Sequence, residues 1–241
     1  MTQPELETTS NPGAVWRVGF EPDMWAWTPW AYATDSGLFD GRWDDQQGEF
    51  RTLYTANSLL GCFLELLARF RPSATTLSAL DDIEDDDGTL ATYPDALTGT
   101  VGHSWLANRV YATASQDGRY CFITHSRSLG ALQSEYPFDT HHISPADVDA
   151  ALLKGARNRT LTRSLARWIY DLRADQGGEL VDGIEFRSRY GDEIKMWAVF
   201  ERSKDDTHSS HLYPGEAPTS VADDMPELLE AFDLHGLSWA D

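Results

Sequence analysis

The stretch Asn57 to Phe70 (NSLLGCFLELLARF) constrains this chain most, because one carboxylate, Glu65, sits inside an otherwise apolar run of helical length. Burying an unpaired carboxylate costs several kcal/mol, so such a position calls for a partner or a task. On a helix, the neighbours of Glu65 at three and four residues are Gly61, Cys62, Ala68 and Arg69. Small side chains then surround one acid, a face that could admit a ligand. The plainer reading is a solvent-facing Glu65 paired with Arg69 at i, i+4, worth ~0.3–0.5 kcal/mol.

Composition sets the outer limits. At 241 residues, with 41% hydrophobic and 12% aromatic content, the chain can bury a substantial core as one domain or one domain with extensions. The N-terminal MTQPELETTSNPG has neither a basic nor an apolar stretch of the secretory kind. No apolar run approaches the ~20 residues of a membrane span, so no membrane partner is expected. Cys62 and Cys121 lie in apolar surroundings and read as buried thiols. A cytoplasmic protein is the expectation. The formal net charge of −20 repels phosphate backbones and disfavours nucleic acid as a partner. The acid clusters at Asp81–Asp87 and near the end, in SVADDMPELLEAFD. Aligning Gly88 with the obligatory glycine of a calcium loop puts Ile83 at the first ligand position and Pro94 where a Glu belongs, which excludes that loop.

The pattern along the chain is that of an α+β protein. Residues 1–13 read as a flexible tail, and strands are expected at Val15–Phe20, Thr52–Ala56, Arg109–Ala112 and Tyr120–Thr124. Asn57 or Ser58 caps a helix to about Phe70, which Arg71-Pro72 stops. Residues 72–101 read mostly as loop, with a short helix near Ser78. Ser144-Pro145 has the form of a helix start. A second strong helix opens at Thr160 or Thr162 and runs to about Asp175, ended by Gly177-Gly178. A hairpin follows, in which alternation places Ile184, Phe186 and Ser188 on one face and Ile194, Met196, Ala198 and Phe200 on the returning strand. Ser188 ends this inward row, where it either caps the turn or bonds a ligand. Residues 203–241 read as an acidic extension with a short helix at 226–232.

Five residues in order carry a resemblance: Arg17 in WRV, Arg42 in FDGRW, Tyr54 in LYTANS, Glu65 in FLELL and Ser188 in DGIEFRSRYG. Together with an acidic turn at Gly48, and more loosely VGHSWLANR and YCFITHSRSL, the set resembles the RES domain over roughly residues 15–201. The domain would then span 14–202. The resemblance implies an ADP-ribosyltransferase-like fold, a mixed or antiparallel split sheet flanked by helices, acting on NAD as substrate with no prosthetic group. It also implies a toxin neutralised by a separately encoded Xre-type antitoxin. Three reactions fall within it: hydrolysis of NAD, its phosphorolysis, or ADP-ribosylation of a protein. Non-catalytic nucleotide binding by the same fold, or a structural role, are the alternatives from other classes.

Breaking the nicotinamide N-glycosidic bond leaves an oxocarbenium-like ribose, which a nearby carboxylate stabilises. Glu65 is the candidate. A pyrophosphate suits bidentate guanidinium groups, which points to Arg42 and Arg17. Tyr54 could stack on the nicotinamide or pin the ribose, and Ser188 could hold the ribose or carboxamide. Trp197 is a further candidate, facing away from the Met196 row. Where several family members carry an aromatic residue, this chain has Val18; Trp25, Trp27 or Trp30 are the substitutes. Trp residues of 25–30, or the 226–232 helix, could also make a homodimer contact. His141-His142 and His208/His211 lack the accompanying acid of a metal site and read as surface polar groups. No phosphate loop, dinucleotide fingerprint or nucleophile elbow is present.

Overall fold

The computed structural model describes residues 4–34, 36–72, 99–155 and 158–240. The expected helix near Ser78 and the acidic run Asp81–Asp87 lie outside the described residues. In chain order the strands are β1 (Thr8–Ser10), β2 (Gly13–Phe20), β3 (Thr52–Ala56), β4 (Thr100–Val101), β5 (Arg109–Gln116), β6 (Arg119–Phe122), β7 (Gly183–Ser188), β8 (Gly191–Phe200), β9 (Leu212–Pro214), β10 (Thr219–Ser220) and β11 (Ser238–Trp239). The α-helices are α1 (Leu59–Leu67), α2 (Ser126–Glu135), α3 (Ala150–Lys154), α4 (Arg159–Asp171) and α5 (Pro226–His235). Helices and a mixed sheet make this an α+β protein.

The chain divides into two compact units, one of residues 1–16, 25–57 and 113–216, the other of 17–24, 58–112 and 217–241. In the first, strand order runs β1-β6-β7-β8-β3-β2, antiparallel except for the parallel β6–β7 pair. The β7–β8 register pairs Ile184 with Ala198 and Phe186 with Met196. Directly opposed residues share a face, so the apolar row expected from alternation is real. Helix α4 covers that row: Tyr170 stacks on Phe50 at 4.0 Å, and both rings meet Phe200. Asn158 caps α4, its side chain accepting from Leu161 N at 3.0 Å, a bond worth ~1 kcal/mol. The helix ends at Asp171, short of the expected Asp175. Leu172 leaves it in an extended conformation, and Arg173 bridges back to Glu179 across Gly177-Gly178, whose φ values of 83° and 85° suit glycine.

Residues 1–13 are not the expected flexible tail throughout, because β1 pairs along β6 from Thr8↔Cys121 to Ser10↔Arg119. The physical reason is a buried acid: Thr9 Oγ1 donates to Glu185 Oε2 at 2.6 Å, and Arg187 supplies a second donor. Ser144-Pro145 starts only a single 3-10 turn; the helix proper, α3, begins after the Asp149 cap. Nor is 203–241 a mere extension. Strand β9 pairs with Ala114–Gln116 in the first unit, while β10 pairs with Val110–Tyr111 in the second.

In the second unit α1 packs against α5. Ser58 Oγ caps α1 by accepting from Gly61 N at 3.1 Å. His235 Nε2–H donates to Leu64 O at 2.8 Å, and burial keeps this imidazole below its ordinary pKa. Helix α5 runs past the expected 232 to His235 and closes on Gly236 at φ 66°, with Leu237 N donating to Phe232 O. Strands β4 and β11 pair in parallel beside it.

Candidate functional site

Glycine begins the turn that presents Arg42. A Cβ on Gly41 would lie 2.5 Å from Asp44 Oδ2 and 2.7 Å from the Tyr54 hydroxyl oxygen. Only glycine lets these groups close over it. Gly41 N donates to Asp44 Oδ2 at 2.6 Å, the Tyr54 hydroxyl donates to Asp44 Oδ1 at 2.8 Å, and Trp43 N donates to that hydroxyl oxygen at 2.9 Å. Burial holds Asp44 above the usual carboxylate range, although Tyr54 and Gly41 pull it down. Burial and the adjacent Asp44 carboxylate push the Tyr54 phenol well above its ordinary value. Arg42 itself is 7% exposed, its guanidinium 5.7 Å from the centre of the Phe186 ring, which Trp43 also contacts.

Ser188 sits at the end of β7, buried, with Oγ accepting from Tyr190 N at 3.0 Å. It therefore caps its turn. The same turn lines a groove of about 520 Å³ with Lys154, which pairs with Asp192. Trp197 pairs with Thr55 and Glu185, whereas Tyr54 pairs with Ala198. Alternation puts Trp197 on the opposite face from Tyr54 and Phe186, so the structure does not bring it together with Arg42 and Tyr54. Trp197 is buried in the sheet's other layer, and its indole Nε1 has no hydrogen-bond acceptor among the described residues.

Arg17 and Glu65 belong to the second unit, where both act on Cys62. Arg17 Nε donates to Met24 O at 2.8 Å. Burial lowers the Arg17 pKa to about 10, which leaves the guanidinium charged at neutral pH. Burial pushes the Cys62 thiol up to about 12; Arg17 opposes that rise and Glu65 adds to it. Glu65 is half-buried on α1. Its i, i+4 neighbour Arg69 lies over the Phe70 ring at 4.9 Å.

Three features escaped the sequence. In sequence Asp44 stands out only as one acid of the turn that leads to Gly48, although its spacing of three from Gly41 is the signal of a side chain folding back on its own backbone. Trp25 and Trp27 are buried at 4% and 2%, which removes them from any dimer surface; Trp30 and Tyr32 are the exposed rings of that stretch. His211 is no plain surface histidine, since its ring lies between Asp117 and Asp182. Among the described residues no group of three or more His, Cys, Asp or Glu side chains could hold a metal ion. Nor is any helix among them long and apolar enough to cross a membrane.

Compared with known families, residues 14–119 match the RES domain. That span is less than half of the chain, and it contains Arg17, Arg42, Tyr54 and Glu65 but not Ser188 or Trp197. No curated protein and no solved structure matches the chain.

Proposed function

We propose, from the match of residues 14–119 to the RES domain, that this chain consumes NAD by cleaving the nicotinamide N-glycosidic bond, with water or phosphate as acceptor. The observation that carries the reading is that the family match encloses both arginines and the acid that this chemistry asks for. The local geometry supports it: Arg42 is a buried guanidinium on a turn held by Asp44 and Tyr54.

In this reading Arg42 and Arg17 bind the anionic pyrophosphate, since planar guanidinium groups match paired phosphate oxygens. The C1′–N bond breaks with its electron pair passing to the nicotinamide nitrogen, which becomes neutral. Glu65 stabilises the cation left on the ribose until the acceptor oxygen attacks C1′. Ser188 contributes a hydroxyl to the ribose or carboxamide. The Cys62 thiol takes no nucleophilic part, because at a pKa of about 12 it stays protonated near neutral pH. A separately encoded helix-turn-helix antitoxin and a cytoplasmic setting complete the proposal.

The test is nicotinamide release from NAD, with and without phosphate, by the wild type and by Glu65→Ala. Removing one preorganised charge costs about a hundred-fold or more in rate. A wild type that releases nothing under either condition would refute the proposal.

A further inference from the structure

Along its main chain, among the described residues, the turn from Gly41 to Asp44 is closed by Asp44 N donating to Gly41 O at 3.4 Å, too long to hold it firmly. Side chains do the holding. Both oxygens of Asp44 accept, one from Gly41 N at 2.6 Å and one from the Tyr54 hydroxyl at 2.8 Å. That hydroxyl accepts in turn from Trp43 N at 2.9 Å. Gly41, Trp43 and Asp44 are thus tied to one bridge anchored on β3, and the residue enclosed between them is Arg42.

We infer that Asp44 and Tyr54 are positioning residues, which fix the main chain on both sides of Arg42 and so aim its guanidinium along the Phe186 ring. The Tyr54 hydroxyl then serves the protein: its proton is given to Asp44, and it accepts from Trp43 N. The chemistry of the clamp requires a carboxylate. Two donors converge on it, and an asparagine would turn an NH2 group toward one of them. It also requires Gly41, whose missing Cβ leaves the space that both partners use. A side chain as long as arginine binds an anion well only when its base does not move. The inference rests on the proposed function only for what Arg42 binds.

Two measurements separate the clamp from that reading. The first is the rate of modification by phenylglyoxal at Arg42 relative to Arg202, followed by peptide mass mapping without NAD. Arg202 is 2% exposed and bonded to Tyr170 O and Val181 O, so it reports general loosening. Asp44→Asn and Tyr54→Phe are each expected to raise the Arg42/Arg202 ratio about ten-fold, the effect of losing one charge-assisted bond. An unchanged ratio, including one in which both sites open together, overturns the inference. The second is calorimetric titration with NAD in an Arg42→Ala background. There Tyr54→Phe and Asp44→Asn should cause no further loss of affinity, since they act through Arg42. A further loss with Tyr54→Phe would place the hydroxyl on the substrate and overturn its assignment. A wild type that binds no NAD sinks the proposed function alone, and the modification ratio still decides the clamp.

Discussion

His211 Nε2 lies 3.1 Å from Asp182 Oδ1, joining the segment after β8 to the residue that precedes β7. The other ring nitrogen, Nδ1, is 2.7 Å from Asp117 Oδ1; Tyr213 donates to the same carboxylate, and Lys204 approaches Nε2 at 3.3 Å. Asp182, through its bond to His211, raises the imidazole pKa above 6.5, with Asp117 adding to it and burial and Lys204 opposing. A raised histidine contributes stability that is complete below the unfolded value of ~6.5 and is lost as pH rises through the folded value. Chemical unfolding at pH 6, 7 and 8 should show the wild type losing about 1 kcal/mol more than His211→Gln over that interval, a modest figure because Asp117 is partly exposed. Equal losses in the two proteins would show that the ring does not titrate with folding. Asp182 works in the opposite sense. Burial raises its pKa, but His211 and Arg119 N–H lower it further, so its contribution is lost only as pH falls through the depressed value.

Replacing Arg42 with lysine keeps the charge but loses the planar fork and its packing on Phe186. For NAD turnover the expected outcome is a KM raised about ten-fold or more with a smaller change in kcat. Steady-state kinetics over a range of NAD concentration check the split; a fall in kcat alone would argue against a binding role.

Gly183 opens β7 against the backbone of β8, and a Cβ there would lie 2.1 Å from Ala198 O. The obstacle is main chain, which cannot swing aside. Gly183→Ala should destabilise the fold by about 3 kcal/mol or fail to fold, whereas Gly130→Ala on α2, with open space around it, should be neutral or slightly stabilising. Thermal unfolding of the pair is the comparison.

Neither cysteine should react with iodoacetamide at pH 8 while the protein is folded. Cys62 and Cys121 are both buried free thiols, and burial pushes each up to about 12. Mass spectrometry before and after denaturant should find no adducts, then two. A single adduct on the native protein would show that one of these thiols is reachable.

Much of this was legible locally. The strand at Thr52–Ala56 and the helix after Ser58 stand where apolar spacing and an N-cap serine put them. Alternation also placed Ile184 and Phe186 on one face, since β pleating has a period of two and needs no partner to be read. The helix Ser126–Glu135 was missed because only Ser128 and Leu132 are buried along it, too few for a periodic signal. Strand β1 was missed because three threonine and serine residues carry no hydrophobic pattern; its order comes from β6 and from the buried Glu185.

The chain's own order of residues determined which segments coil, which extend, and that Arg17, Arg42, Tyr54 and Glu65 fall inside the stretch that matches the RES domain. Tertiary structure decided what those residues do for one another. It joined Tyr54 to Asp44, ten positions away in the chain, put Trp197 in the layer opposite Tyr54, and turned two tryptophans inward. The physical reason is that backbone periodicity is a property of neighbours along the polymer, while a hydrogen bond or a shared sheet face depends on which strands lie side by side.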